Sequence, residues 1–236
     1  MEEEKSKLES EIKNEESKSF IAKAAKLGFL GVAGLAATAF SMATVGISGP
    51  IIAAAVGGGL MAGTLARGKG SFGKALENGL KGYAAINAII YPMGWIGNVT
   101  YPLIGSLGSS IAGGIGSVVA KSAYALTAYN ASFVTAFGAA NHLLDNYLNP
   151  AGITEAIGKD FMANVQRVAV GFGPGLLLTA NGITDIMLGG YKIPVFAINA
   201  LPYAFYTGIY PLEENKAYKK PAQRAVPHGM PQIAPA

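Results

Sequence analysis

Residues 27–66, 82–120 and 193–212 contain no aspartate, glutamate, lysine or arginine. Stretches of this length without a charge have no place on the outside of a soluble fold, where every surface helix needs a polar face. Uncharged apolar runs of about 18 residues or more read as helices that span a bilayer. The rest of the 236-residue composition agrees, since only 14% of residues are charged against about 25% in soluble domains. The sequence therefore predicts an integral membrane protein with an all-α fold, a polytopic helix bundle of about six spans.

Residues 1–26 form a separate polar segment with seven glutamates and six lysines interspersed. Leu8 and Ile12 stand four apart, as on one helix face, so a charged cytosolic helix is expected to lead into the membrane. The segment lacks the short basic start and cleavage site of a signal peptide. Lys18, Lys23 and Lys26 precede the first apolar run and favour a cytoplasmic N-terminus.

Spans are expected at about 27–47 and 50–66, separated by the Gly49-Pro50 break. The basic segment 67–82 follows, with Arg67, Lys69, Lys74 and Lys81 against Glu77, which marks it cytoplasmic. A third span at about 83–105 carries Pro92 and Pro102, and prolines in a span predict a break or kink. Residues 106–121 are rich in Gly and Ser, and three readings are open: a loop, a re-entrant segment or the start of a long helix. A fourth span lies within 111–143, a short amphipathic surface helix within 144–166, and a fifth span at about 166–188, interrupted by Gly171, Gly173, Pro174 and Gly175. Gly189-Gly190 predicts a turn before a sixth span at about 193–211, broken by Pro202. The domain organisation is thus 1–26, a bundle over 27–212 and a basic, proline-rich, disordered tail over 213–236. Six crossings leave both termini cytoplasmic, and the three basic segments then share one side. A prokaryotic plasma membrane is the expected location.

Two segments share a pattern that suggests an internal duplication. Residues 85–88 and 197–200 both read Ala-Ile-Asn-Ala, Tyr101-Pro102-Leu103 matches Tyr210-Pro211-Leu212, and Gly49-Pro50 matches Gly173-Pro174. The matches are collinear and would relate 27–105 to 111–212. Halves of three spans each would lie inverted in the membrane, an arrangement associated with transporters whose site is near the midplane.

Polar residues inside hydrocarbon are expensive and are therefore candidates for function. Asn87 and Asn199 occupy matching places in the two halves. They are expected either to line a solute path or to bond neighbouring helices together. Asn98, Lys121, Asn130 and Asn181 complete the expected lining set. Lys121 is either an interfacial anchor or an intramembrane charge. Gly49, Pro50, Gly173 and Pro174 are candidate hinges. His142 and Asp145, three apart on one helix face, and Asp185 are candidate members of a proton or ion relay, since imidazole titrates near neutrality.

The absence of cysteine excludes disulfides, thiol catalysis and thiolate metal sites. No catalytic residue, metal site or cofactor is expected. No phosphate-binding glycine loop is present, and the basic tail suits anionic lipid headgroups better than nucleic acid. The expected partners are the bilayer, anionic lipid, and a second copy or another membrane protein. The leading expectation is a small channel or transporter that moves an ion or solute between two inverted halves. The alternative is a non-transporting scaffold or assembly subunit that recruits partners through its termini.

Overall fold

The computed structural model describes residues 2–68, 71–159 and 161–209, with side chains from Glu15 onward except at Tyr206, Gly208 and Ile209. The expected tail, His228, the Tyr210-Pro211-Leu212 match and the Leu8 and Ile12 side chains lie outside the described residues. The fold is mostly helical, at 86%. In chain order it contains α1 (Glu2–Val45), α2 (Ser48–Ala66), α3 (Phe72–Tyr124), a π-helical turn (Ala125–Tyr129), α4 (Asn130–Asp145), α5 (Ile153–Gly158), α6 (Phe161–Ala180), strands β1 (Asp185–Leu188) and β2 (Tyr191–Pro194), and α7 (Val195–Ile209).

Three helical stretches are long and apolar enough to cross a membrane: Glu15–Val45, Ser48–Ala66 and Phe72–Asp145. The last is 74 residues, on the order of 110 Å if straight at 1.5 Å per residue. It is not straight. Ala112 (φ −141°, ψ 28°) and Gly113 (φ 60°, ψ −146°) leave helical geometry, and the chain doubles back there. The positive φ at Gly113 is where a Cβ would be strained. A Cβ placed on Gly108 would fall on the Gly116 carbonyl, and one placed on Gly116 on the Gly108 carbonyl. The arms 72–111 and 114–145 are therefore an antiparallel hairpin whose backbones meet through small residues. This resolves 106–121 as the two limbs of a tight helical turn.

Helix α2 sits between α3 and α7. A Cβ on Gly57 would meet the Gly79 carbonyl of α3, and a Cβ on Gly59 would meet the Leu201 carbonyl of α7. Glycines two apart on a helix point to different sides, so one short segment lets two neighbours approach closely. The main core joins Ile52 and Val56 of α2, Ile86, Ile89 and Met93 of α3, Phe133 of α4, Phe172 and Leu176 of α6, and Ala200 and Ala204 of α7. Phe133, Phe172, Phe196 and Tyr203 form an aromatic cluster within it, with centroid separations from 4.6 to 6.0 Å.

Several expected breaks are corrected. α1 ends at Val45 and α2 begins at Ser48, so Gly49-Pro50 is not the break. Pro50 lies in the first turn of α2, where its missing N–H has no intrahelical partner to lose. Gly49 is packed instead: a Cβ there would fall on the Ser41 hydroxyl. Pro92 and Pro102 lie inside α3, Pro174 inside α6 and Pro202 inside α7, and each helix continues past its proline. Each proline removes one hydrogen bond, a loss these helices carry without breaking. The helix expected to end near 105 runs to residue 111. The helix expected over 166–188 ends at Ala180, because residues 185–194 form a two-stranded antiparallel hairpin that pairs Asp185 with Pro194 and Leu188 with Tyr191. Gly189-Gly190 is its turn, with φ of 56° and 86°, as the two-residue hairpin turn demands. The surface helix expected within 144–166 is the six-residue α5.

Candidate functional site

The predicted polar residues fall into three groups. In the first, asparagines pack at contacts between helices. Asn87 is fully buried. Its Nδ2 donates to the Tyr83 carbonyl at 3.2 Å and to Thr38 Oγ1 at 3.5 Å. Thr38 in turn shares a 2.8 Å hydrogen bond with the Tyr83 hydroxyl, which ties α1 to α3. Asn130, also fully buried, donates from α4 to the Val165 carbonyl of α6 at 2.8 Å. Asn199 donates to the Val195 carbonyl at 3.1 Å and packs on Gly175 of α6. Asn87 and Asn199 are enclosed by different helix pairs, and no hydrogen bond joins them.

The second group is ionic. Lys26 of α1 contacts Glu77 at 2.9 Å and Asp145 at 3.1 Å. Lys81 contacts Asp145 at 2.9 Å, and Lys74 contacts Glu77 at 3.1 Å. Five alternating charges thus link α1, α3 and α4 at one end of the bundle. They are drawn from the borders of the charge-free runs, because that is where the chain can still hold a charge. His142 is not part of this network. Its Nε2 lies 2.9 Å from the Ala151 carbonyl and its Nδ1 3.4 Å from Asn146 Nδ2, so it fastens the turn after α4. Asp185 accepts from the Thr184 hydroxyl at 3.0 Å. The three residues of the expected relay therefore occupy three separate environments. Among the described residues, no three histidine or acidic side chains gather as a metal site would require.

The third group converges. Asn98, Lys121 and Asn181 line one cleft of about 500 Å³. Its walls are the α3 hairpin limbs (Tyr101, Pro102, Gly105, Ser106, Ser109, Ser117) and the end of α6 with the loop after it (Thr179, Thr184). Tyr101 is 20 residues beyond Lys81 on the same helix, about 30 Å along its axis. The cleft and the ionic network thus lie about a hydrocarbon thickness apart.

Local sequence shapes each wall. Gly105 leaves room for the Lys121 stem, whose Cδ and Cε would lie 3.2 and 3.4 Å from a Cβ there. Asn181 donates to the Leu177 carbonyl at 2.9 Å and to Ser122 Oγ at 3.2 Å, which leaves Oδ1 buried without a partner. The Tyr101 hydroxyl is likewise buried and unpartnered. Pro102 has no N–H for the Asn98 carbonyl, the bond an ordinary residue would supply. Buried polar groups are normally hydrogen-bonded; Asn181 and Tyr101 are two of five described residues with an unpartnered buried side-chain oxygen, and the other three, Ser41, Asn87 and Asn130, lie outside the cleft. The lining contains Lys121 and no carboxylate. Sequence reading did not place Tyr101, the serines or the two threonines among the site candidates. The one available signal was the recurrence of serine and glycine on both limbs about Gly113.

No protein-family model, curated relative or solved structure matches this chain.

Proposed function

We propose that the chain is a six-span membrane protein that moves a small polar solute, with the cleft between the α3 hairpin and the end of α6 as its solute site. The convergence of Asn98, Lys121 and Asn181 on that cleft carries the reading. The six crossings are α1, α2, the two hairpin limbs, α6 and α7. Within α6 Arg167 is the sole charged residue, and α7 has none. Counted this way, Lys26, Glu77, Lys81 and Asp145 all fall on one face, as their ion pairs require. The basic excess of residues 67–82 makes that face cytoplasmic, with both termini on it. The cleft then opens toward the opposite face. The halves 27–105 and 111–212 run in opposite senses, and Asn87 and Asn199 each donate to the carbonyl four residues back, in keeping with an inverted pair.

Purified protein in liposomes tests the reading. Solute entry is expected to fall about tenfold when Lys121→Gln or Asn181→Ala removes a lining group. Folded protein that passes no anion, cation or neutral solute would remove the transport role.

One observation favours a scaffold as the second reading. Leu107, Ile111 and Ile115 at the hairpin tip are 64%, 87% and 78% exposed. The limb from Lys81 to Ile111 is about 45 Å long, more than the roughly 30 Å hydrocarbon layer. An apolar tip standing past the layer suits burial against another membrane protein. A stable co-purifying partner that Ile111→Ser with Ile115→Ser releases would support this reading.

A further inference from the structure

We infer that the cleft takes a small oxyanion that also carries a hydroxyl group, a hydroxycarboxylate or hydroxylated phosphoester; the inference rests on the solute-site reading above. The groups facing the cleft ask for complementary chemistry on both counts. Lys121 supplies an ammonium with three donors, and no carboxylate lines the cleft beside it. Asp185 is next to the lining residue Thr184, but its Oδ2 accepts the Thr184 hydroxyl at 3.0 Å and makes no ion pair with Lys121 among the described contacts. The buried Tyr101 hydroxyl is a second donor without an acceptor. These groups call for an anionic acceptor.

The opposite need is also present. Asn181 Nδ2 is committed to Leu177 and Ser122, so its free Oδ1 can only accept. A plain halide or a simple carboxylate would satisfy the donors and leave that acceptor empty. A hydroxyl on the same ligand would fill it. A neutral polyol would fill the acceptor and leave Lys121 without a counter-charge. Charge-assisted bonds are the stronger class, so the anion is held first and the hydroxyl discriminates.

Such a group could arrive free in solution or as a lipid headgroup. The test therefore uses full-length protein in nanodiscs of neutral phosphatidylcholine, titrated by calorimetry with lactate, propionate and lactamide. These probes differ by one hydroxyl or by the charge. Lactate is expected to bind about tenfold more tightly than propionate, the worth of one well-made hydrogen bond, and lactamide to show no binding. Lys121→Gln should abolish lactate binding and Lys121→Arg should retain it. Asn181→Ala should erase the difference between lactate and propionate. A parallel set of discs with phosphatidylglycerol separates the sources. Retention of that lipid through Lys121, with no lactate binding, assigns the same chemistry to a headgroup. Equal affinity for the three probes, or lactate binding indifferent to Lys121→Gln, overturns the inference. Lactate binding without flux keeps the anion site and removes the transport role. Glycerol flux that Lys121→Gln leaves unchanged keeps transport and overturns the anion site.

Discussion

Asn87 and Asp145 show how differently a polar residue can be used in one bundle. The Asn87 amide makes two bonds, at 3.2 and 3.5 Å, and its Oδ1 has no partner. Removing it leaves the 2.8 Å Thr38–Tyr83 bond in place, and interhelical hydrogen bonds in membranes are worth about 0.6 kcal/mol on average. Asn87→Ala should therefore lower thermal stability in detergent by about 1 kcal/mol or less and leave flux per folded molecule unchanged. Lost flux with unaltered stability would return Asn87 to the solute path. Asp145, by contrast, receives both Lys26 and Lys81, and neither lysine is more than 26% exposed. Asp145→Asn leaves Lys81 without a carboxylate and Lys26 with Glu77 alone, and should cost about 1–3 kcal/mol, between the values for exposed and buried pairs. Salt screens such pairs, so the gap between variant and parent should narrow from 50 mM to about 1 M salt in the same melting assay. A gap independent of salt would mean the contribution is packing.

The α3 hairpin depends on backbone approach more than on any side-chain bond. Gly108 and Gly116 each face the other's carbonyl with no space for a methyl group. Gly108→Leu must push the limbs apart, and with them Ser109 and Ser117 on either side of the cleft. Overpacking of this kind costs about 1–3 kcal/mol, while the exposed Ser110→Ala should stay within about 0.5 kcal/mol. Thermal melts of the two variants check this, and a Gly108→Leu protein as stable as the parent would deny the close contact. The helices themselves were legible in the sequence, because long charge-free runs leave a chain few alternatives. The turn at Gly113 was not, since Gly and Ser through 106–121 suit a loop, a re-entrant segment and the start of a long helix equally well. The prolines misled for a physical reason. A helix loses one bond at Pro92, Pro102, Pro174 or Pro202, and intact packing on either side keeps it running. Within the candidate site, Asn98, Lys121 and Asn181 could be nominated as polar residues in apolar surroundings. That these three share a cleft while Asn87 and Asn199 do not depends on contacts between 97–121 and 179–184, which no local pattern encodes.

At the scale of the whole molecule, the crossing count and the place of the cleft stand or fall together. If the ionic cluster of Lys26, Glu77, Lys81 and Asp145 faces the cytoplasm, the chain must leave along α1, return along α2, and leave again along the limb 72–111. The tip at Ala112, the β1–β2 hairpin and the open side of the cleft then all face away from the cytoplasm. The chain has no cysteine, so single cysteines can be introduced without a background thiol and probed in intact cells with a membrane-impermeant maleimide. Cysteine at Ala112 or at Met187, which is 65% exposed, should label from outside. Cysteine at Lys74 or at Tyr147, 54% exposed, should label only after the membrane is opened. Labelling of Ala112 and Lys74 from the same side would require the hairpin limbs to lie along the membrane and not through it. The cleft would then open onto the same face as the charges, and a path from one side of the bilayer to the other would lose its outer mouth.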